Sequence, residues 1–184
     1  MNLWRIIDRG LVREAFSGQG ASDYGGRWNS PGTRMVYCSE HPALAALEKL
    51  VHIQDMEQLR QSYSLISVAC PQELAETLCQ RLPRNWTGDS ARARLRRIGD
   101  QWIASRSSLA LIVPSVVLPR SSNILVNPLH PAFGQLQIDR PESFDFDPRL
   151  RDRPVAKLTP VAVGARHRLF RETSIPTTGM AMGG

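Results

Sequence analysis

The sequence predicts one compact domain of mixed α+β (α/β) class over residues 1–150, with a basic segment appended over residues 151–184. Three observations carry that reading. Apolar runs of strand length alternate with stretches of helical period and with polar loops, the pattern of a mixed sheet dressed with helices. The 184 residues, 42% of them hydrophobic, are enough to bury a single core. Beyond Leu150 the composition turns to Pro, Thr, Gly and Arg with no period, so that segment reads as a flexible appendage.

Taken in order, residues 4–7 form the first expected strand. Residues 17–32 are polar and Gly-rich and read as a long loop, which carries Gly25-Gly26-Arg27-Trp28-Asn29. Residues 35–38 are the next strand, after which Ser39 can cap a helix that has Glu40 and Pro42 in its first turn and runs to about Leu59. Leu44, Leu47, Leu50 and Val51 supply its apolar face. Glu48 lies four residues after Leu44 and three before Val51, on the border of that stripe, where a carboxylate is partly buried or lines a cavity.

Further along, residues 64–69 predict a strand, 71–81 a short helix and 90–105 an amphipathic helix with Leu95, Ile98 and Trp102 facing inward. The most continuously apolar run, residues 109–113, predicts a central strand ending at Pro114-Ser115. Residues 124–126 predict another, closed by Asn127-Pro128. No internal repeat interrupts this order.

The net charge of +6 invites a nucleic-acid reading, which the distribution of charge weakens. From Arg151 onward six basic residues stand against two acidic ones, giving +4 and leaving only +2 for the first 150 residues. The cluster Arg92, Arg94, Arg96 and Arg97 spreads over more than one helical face and reads as solvated surface. No apolar run is long enough to span a bilayer and the amino terminus lacks a secretory pattern, so a cytoplasmic protein without a membrane partner is expected. Cys38, Cys70 and Cys79 form no Cys-x-x-Cys pair and no zinc-like cluster; free thiols and no metal are expected.

No nucleophile elbow, zinc-protease, P-loop or dinucleotide fingerprint is present. The chemistry is left to polar residues at predicted strand ends and loops: Arg5, Arg27, Tyr37, Glu48, Ser115, Asn123 and Asn127. On their own these residues have plain readings. Glu48 is then a solvated helix residue, Arg27 a loop arginine, Tyr37 as often core as ligand platform, and Ser115 a strand-end cap. Asn123 and Asn127, ahead of Pro128, read as turn formers, His130 as structural, and Trp28 as packing beneath its loop.

Gly26-Arg27-Trp28-Asn29-x-x-Gly32, then Val36-Tyr37, then residues 43–52 with Glu48 and His52, resemble the leading block of the RES-domain toxins. Val113-Pro114-Ser115, followed by Asn123-x-Leu125-x-Asn127-Pro128-x-His130-Pro131, resembles the second block, and Trp4-Arg5-Ile6 the opening strand. That resemblance, over residues 3–150, implies the fold of the NAD-dependent ADP-ribosyltransferases and an enzyme that cleaves or phosphorolyses NAD⁺. NAD is then the substrate, with inorganic phosphate open as co-substrate and no other cofactor. It also implies an Xre-type helix-turn-helix antitoxin, through which alone DNA would be contacted, and leaves a homo-oligomer open. The segment after Leu150 departs from the pattern.

Under that resemblance Glu48, Arg27 and Ser115 are the catalytic candidates, and Arg5, Tyr37, Trp28 and Asn123 the substrate-binding ones. Arginine's fork suits a pyrophosphate. A fixed carboxylate suits the cationic ribose that develops as nicotinamide leaves. Tyr37 can face the nicotinamide ring, and Ser115 can bond substrate or Glu48. Two rivals stay open: a mono-ADP-ribosyltransferase acting on a protein, and a binding module that uses the basic tail on nucleic acid or a partner.

Overall fold

The computed structural model describes residues 1–53 and 56–151. Strand β1 (Asn2–Asp8) leads through a 3₁₀ turn to the short helix α1 (Gln19–Tyr24), then β2 (Val36–Ser39), α2 (Pro42–Leu50) and the one-turn α3 (Met56–Leu59). Next come β3 (Tyr63–Ala69), β4 (Ala75–Thr77), the long helix α4 (Arg92–Ser105), β5 (Ala110–Pro114) and β6 (Ser122–Val126). Two short strands, β7 (Gln137–Ile138) and β8 (Glu142–Phe144), and a final turn α5 (Pro148–Arg151) complete it.

All strands join one sheet in the order β4-β5-β6-β2-β1-β3-β7, with β8 also on β3. Among the described strands only β4 and β5 run parallel. Alternating side chains bury both faces, as the strand period of two requires. Leu3 and Ile7 of β1, Val36 and Cys38 of β2, Ala110 of β5 and Ile124 and Val126 of β6 share one cluster. The intervening Leu111, Val113 and Leu125 pack instead against Leu95, Ile98 and Trp102 of α4. Leu95 is fully buried there, a contribution of roughly 2 kcal/mol from its apolar area. Ala45 of α2 packs on Ile6 and Tyr63 in a third cluster.

The sheet is not evenly knitted. β1 pairs with β3 at every residue from Asn2↔Ala69 to Asp8↔Tyr63, yet meets β2 only at Trp4↔Ser39. The two halves therefore part beside that single bridge, and α2 packs against both strands at the parting.

Several sequence expectations are corrected. The stretch 17–32 contains α1, framed by Gly18 and Gly25 with φ of +69° and +70°. α2 is capped by His41, whose Nδ1 accepts the Ala43 amide at 3.3 Å, and not by Ser39, which stays in β2. It ends at Leu50, where His52 and Ile53 amides turn back in short i−3 bonds to Lys49 and Leu50. Its buried face is Leu44 and Ala45, while Leu47 and Val51 are 38% and 58% exposed. The helix expected over residues 71–81 is a 3₁₀ turn followed by β4, because pairing with β5 overrides the local helical preference. The expected strands over residues 4–7, 35–38, 64–69, 109–113 and 124–126 are present within a residue or two of their predicted ends, and so is the 90–105 helix with its three inward residues. Of the basic segment, all but Arg151 lies outside the described residues. Among the described residues no helix is long and apolar enough to cross a membrane.

Candidate active site

Where β1 and β2 part, the sheet cannot satisfy its own backbone, and a side chain fills in: Arg5 donates from Nη1 to the Tyr37 carbonyl at 2.6 Å. Burial of this guanidinium lowers its pKa, opposed by the neighbouring Cys38. Its Nε is buried with no hydrogen-bond partner among the described residues. Beside it opens a cleft of about 930 Å³, at the upper end of the range of about 300–1,000 Å³ typical of small-molecule sites. Glu48 and Val51 at the end of α2 line one wall, and Arg92 and Arg96 of α4 another; Arg5, Arg27, Tyr37 and Asn123 also line it, with Glu14, Asp23, Lys49 and His52 among its other charged and polar residues.

Glu48 is held from behind. Its Oε1 accepts from Ser115 Oγ at 2.8 Å and from Asn123 Nδ2 at 2.5 Å. No described residue donates to Oε2. Ser115, just past the end of β5, is buried, and its Oγ also accepts the amides of Val117 and Leu118, which fixes the hydroxyl's position at the start of a turn. Asn123 sits within β6, so its reading as a turn former is corrected. Its Oδ1 accepts from Ser39 Oγ at 2.9 Å. Asn127 does form the turn, with its Oδ1 accepting the Leu129 amide and its Nδ2 donating to the Ile103 carbonyl. His130 accepts the Ala132 amide in the same turn.

The loop that carries Arg27 is built around Asn29, which is fully buried and donates to the carbonyls of Ala21, Ser30 and Thr33. Its Oδ1 accepts the Tyr37 hydroxyl at 2.7 Å, and that hydroxyl in turn accepts the Trp28 amide at 3.1 Å. A side chain at Gly26 would overlap the Tyr37 hydroxyl, so the glycine permits this close packing. Helix α4 holds the loop from the other side: Arg96 Nε donates to the Gly26 carbonyl at 2.8 Å and Asp100 accepts the Ser30 amide at 2.9 Å. Arg27 reaches the carbonyls of Trp86 and Thr87 at 3.4 and 3.1 Å through Nη1, leaving the rest of its fork without a partner among the described residues.

The structure thus brings Arg5, Arg27, Tyr37, Glu48 and Asn123 to one cleft and sets Ser115 behind Glu48. Trp28 borders the cleft but is 2% exposed and packs with Met35 and Leu95 beneath the loop. The Tyr37 hydroxyl is spent inside the loop, and burial raises its pKa. Sequence reading missed two features. Arg92 and Arg96, spaced by one helical turn, line the cleft and are not simply solvated; the i, i+4 spacing was visible, but not what faced it. Ser39 and Asn29 were missed as anchors because their partners are remote in sequence.

Cys38 gives a test of this packing. Burial pushes its thiol up from 9.0 to about 11, against the pull of Arg5. Between those values the unfolded chain releases the proton while the folded chain keeps it, so stability falls as pH rises above about 9. In denaturant titrations across that range, Cys38→Ala is expected to flatten the decline; an unchanged slope would assign the loss to other groups, such as Tyr37.

Among the described residues no group of three or more His, Cys, Asp or Glu side chains is placed to hold a metal, and Cys38, Cys70 and Cys79 are free thiols. The mixed sheet parts over a cleft that carries several arginines and the anchored carboxylate of Glu48, and there the residues that resemble a RES domain come together. The sequence profile of that family matches residues 2–147, and the chain belongs to the RES domain family. Toxin Res of Yersinia enterocolitica is 41% identical over 153 residues, spanning 82% of this chain and all of that one. The Prs ADP-ribosylating toxin of a Sphingobium species is 34% identical over 155 residues, spanning 81% and 96%. Among solved structures, a chain of the M. tuberculosis MbcT–MbcA toxin–antitoxin complex shares the fold with a TM-score of 0.65 at 18% identity, over 82% of this chain and 86% of that one.

Proposed function

We propose that the chain is the toxin of a toxin–antitoxin pair and cleaves the bond between nicotinamide and ribose in NAD⁺. The observation that carries this is Glu48, held through one oxygen by Ser115 and Asn123 while the other is left to a cleft rich in arginine. In this reading the C1′–N1 bond breaks with its electron pair leaving on nicotinamide, and the positive charge left on the ribose is stabilised by the fixed carboxylate. Water or inorganic phosphate then bonds to C1′ and gives up a proton. Arg27 and Arg5, both lining the cleft, neutralise the pyrophosphate. Tyr37 presents its ring, Trp28 supports the loop from beneath, and Ser115 and Asn123 keep Glu48 in place.

Residues 1–150 are the catalytic unit in this proposal, and the basic segment an appendage. An Xre-type helix-turn-helix antitoxin is the expected partner in the cytoplasm, with DNA reached only through it; the fold shared with a toxin–antitoxin complex supports the pairing. Incubating the purified chain with NAD⁺, with and without phosphate, tests the reaction. Free nicotinamide with ADP-ribose marks hydrolysis, and a phosphorylated ADP-ribose marks phosphorolysis. The name of the Sphingobium relative supports a second reading, transfer of ADP-ribose to a protein; label from NAD⁺ appearing on a protein acceptor, with no turnover in its absence, would favour it.

Arg27→Ala is expected to weaken NAD⁺ binding about tenfold or more, the worth of a charge-assisted hydrogen bond, and Arg27→Lys to recover only part of it, because a point charge does not reproduce the planar fork. Calorimetric titration in a Glu48→Gln background measures this without turnover. Equal affinities for the three side chains would place Arg27 outside the site.

A further inference from the structure

We propose that Ser39 is a positioning residue of this site, acting through the Asn123 amide on Glu48. The proposal rests on the functional reading above and adds a second row of hydrogen bonds behind the carboxylate. Ser39 and Asn123 are registered partners across β2 and β6, and Ser39 is also the residue at which β1 bridges to β2. It therefore stands at the point where the parted sheet is still joined. Its side chain is 3% exposed, and its hydroxyl is free for this use because His41 caps α2 in its place.

The chemistry follows from what each group can give. A carboxylate only accepts, so Asn123 serves Glu48 only with Nδ2 turned toward it. The same orientation turns Oδ1 toward Ser39, whose single hydroxyl proton points at that oxygen over 2.9 Å. No other described residue donates to Asn123 Oδ1. With the hydroxyl in place, both ends of the amide are occupied, and the donor reaching Glu48 Oε1 cannot swing or flip without losing both bonds. Without it, the amide is held at one end, and the carboxylate behind which it stands gains freedom that a developing ribose cation would feel as misplacement. Ser39 is buried behind Asn123, so the loss of its hydroxyl reaches the substrate only through the seating of Glu48, and the effect belongs to kcat and not to KM.

The test is a double-mutant cycle on nicotinamide release, with kcat and KM for NAD⁺ measured for wild type, Ser39→Ala, Asn123→Ala and the double variant. Ser39→Ala is expected to lower kcat about fivefold, the worth of one hydrogen bond, with KM unchanged. In the Asn123→Ala background the same substitution is expected to cost nothing further, since the path to Glu48 is already cut. Ser39→Cys, whose thiol is larger than the hydroxyl but donates weakly, is expected to show the same loss of kcat as the smaller Ser39→Ala, which separates the hydrogen bond from packing. A wild-type kcat in Ser39→Ala, a loss that falls on KM, or additive losses in the double variant would overturn the proposal. A wild type that releases no nicotinamide would overturn the functional reading itself.

Discussion

Replacing Glu48 with glutamine is expected to lower the rate of nicotinamide release from NAD⁺ by about a thousandfold and to leave the domain folded. The substitution is informative because of how Glu48 is seated. Oε1 accepts two hydrogen bonds, from Ser115 and Asn123, and glutamine has one oxygen that can accept both. Its amide nitrogen then takes the place of Oε2, the atom that no described residue holds, in a side chain that lines the cleft. Shape and anchoring survive while the negative charge is lost. The expected change in stability is within about 1 kcal/mol, since no buried partner is stranded. Melting temperature and turnover measured on the same preparations separate the two effects. Near wild-type turnover in this variant would remove Glu48 from the chemistry. In bacteria, inducing the wild type should drain intracellular NAD⁺ and arrest growth, and inducing the glutamine variant should do neither. Growth arrest with NAD⁺ unchanged would move weight to ADP-ribosylation of a protein.

What could be read in the sequence divides along the range of the interactions. Strand and helix periods are local, so β1, β2, β3, β5, β6 and α4 were legible from Trp4, Met35, Leu65, Leu111, Leu125 and Leu95 and their neighbours. β4 was not, because its strand character comes from lying parallel to β5. α1 was hidden by its polar sequence between two glycines whose left-handed φ values frame it. Among site residues, the border position of Glu48 on α2 was visible as a break in an apolar stripe, although the stripe itself was misplaced, with Leu47 and Val51 outside it. Its anchors were only partly visible. Ser115 and Asn123 stood out as polar residues at strand ends but took their roles from the family pattern, and no period in the sequence links residue 48 to residues 115 and 123; the sheet register does. Ser39, read as a cap, turned out to be bonded across that register.

Gly99→Ala is expected to destabilise the domain by about 2–3 kcal/mol and to lower its melting temperature by roughly 5–10 °C. A glycine inside a fourteen-residue helix is unusual on propensity alone, since alanine there would favour the helix by about 1 kcal/mol. The reason lies across the interface: a Cβ on Gly99 would run into the Trp28 carbonyl, and its next neighbour would be Met35 Cε at 3.1 Å. Methionine can move aside, but a backbone carbonyl moves only with its loop. That loop is fastened to α4 at three successive points: Gly26 to Arg96, Trp28 against Gly99, and Ser30 to Asp100. The middle fastening carries no hydrogen bond and depends on the absence of a side chain. Pushing it outward strains the bonds on either side and shifts Arg27, one residue from Trp28, in the cleft. The loss of stability should therefore come with weaker NAD⁺ binding, even though Gly99 touches no substrate. Thermal melts and titration with NAD⁺ read the two consequences together. A variant with wild-type melting temperature would show that α4 and the loop are not in the close contact described, and wild-type affinity at reduced stability would show that Arg27 is positioned without help from α4.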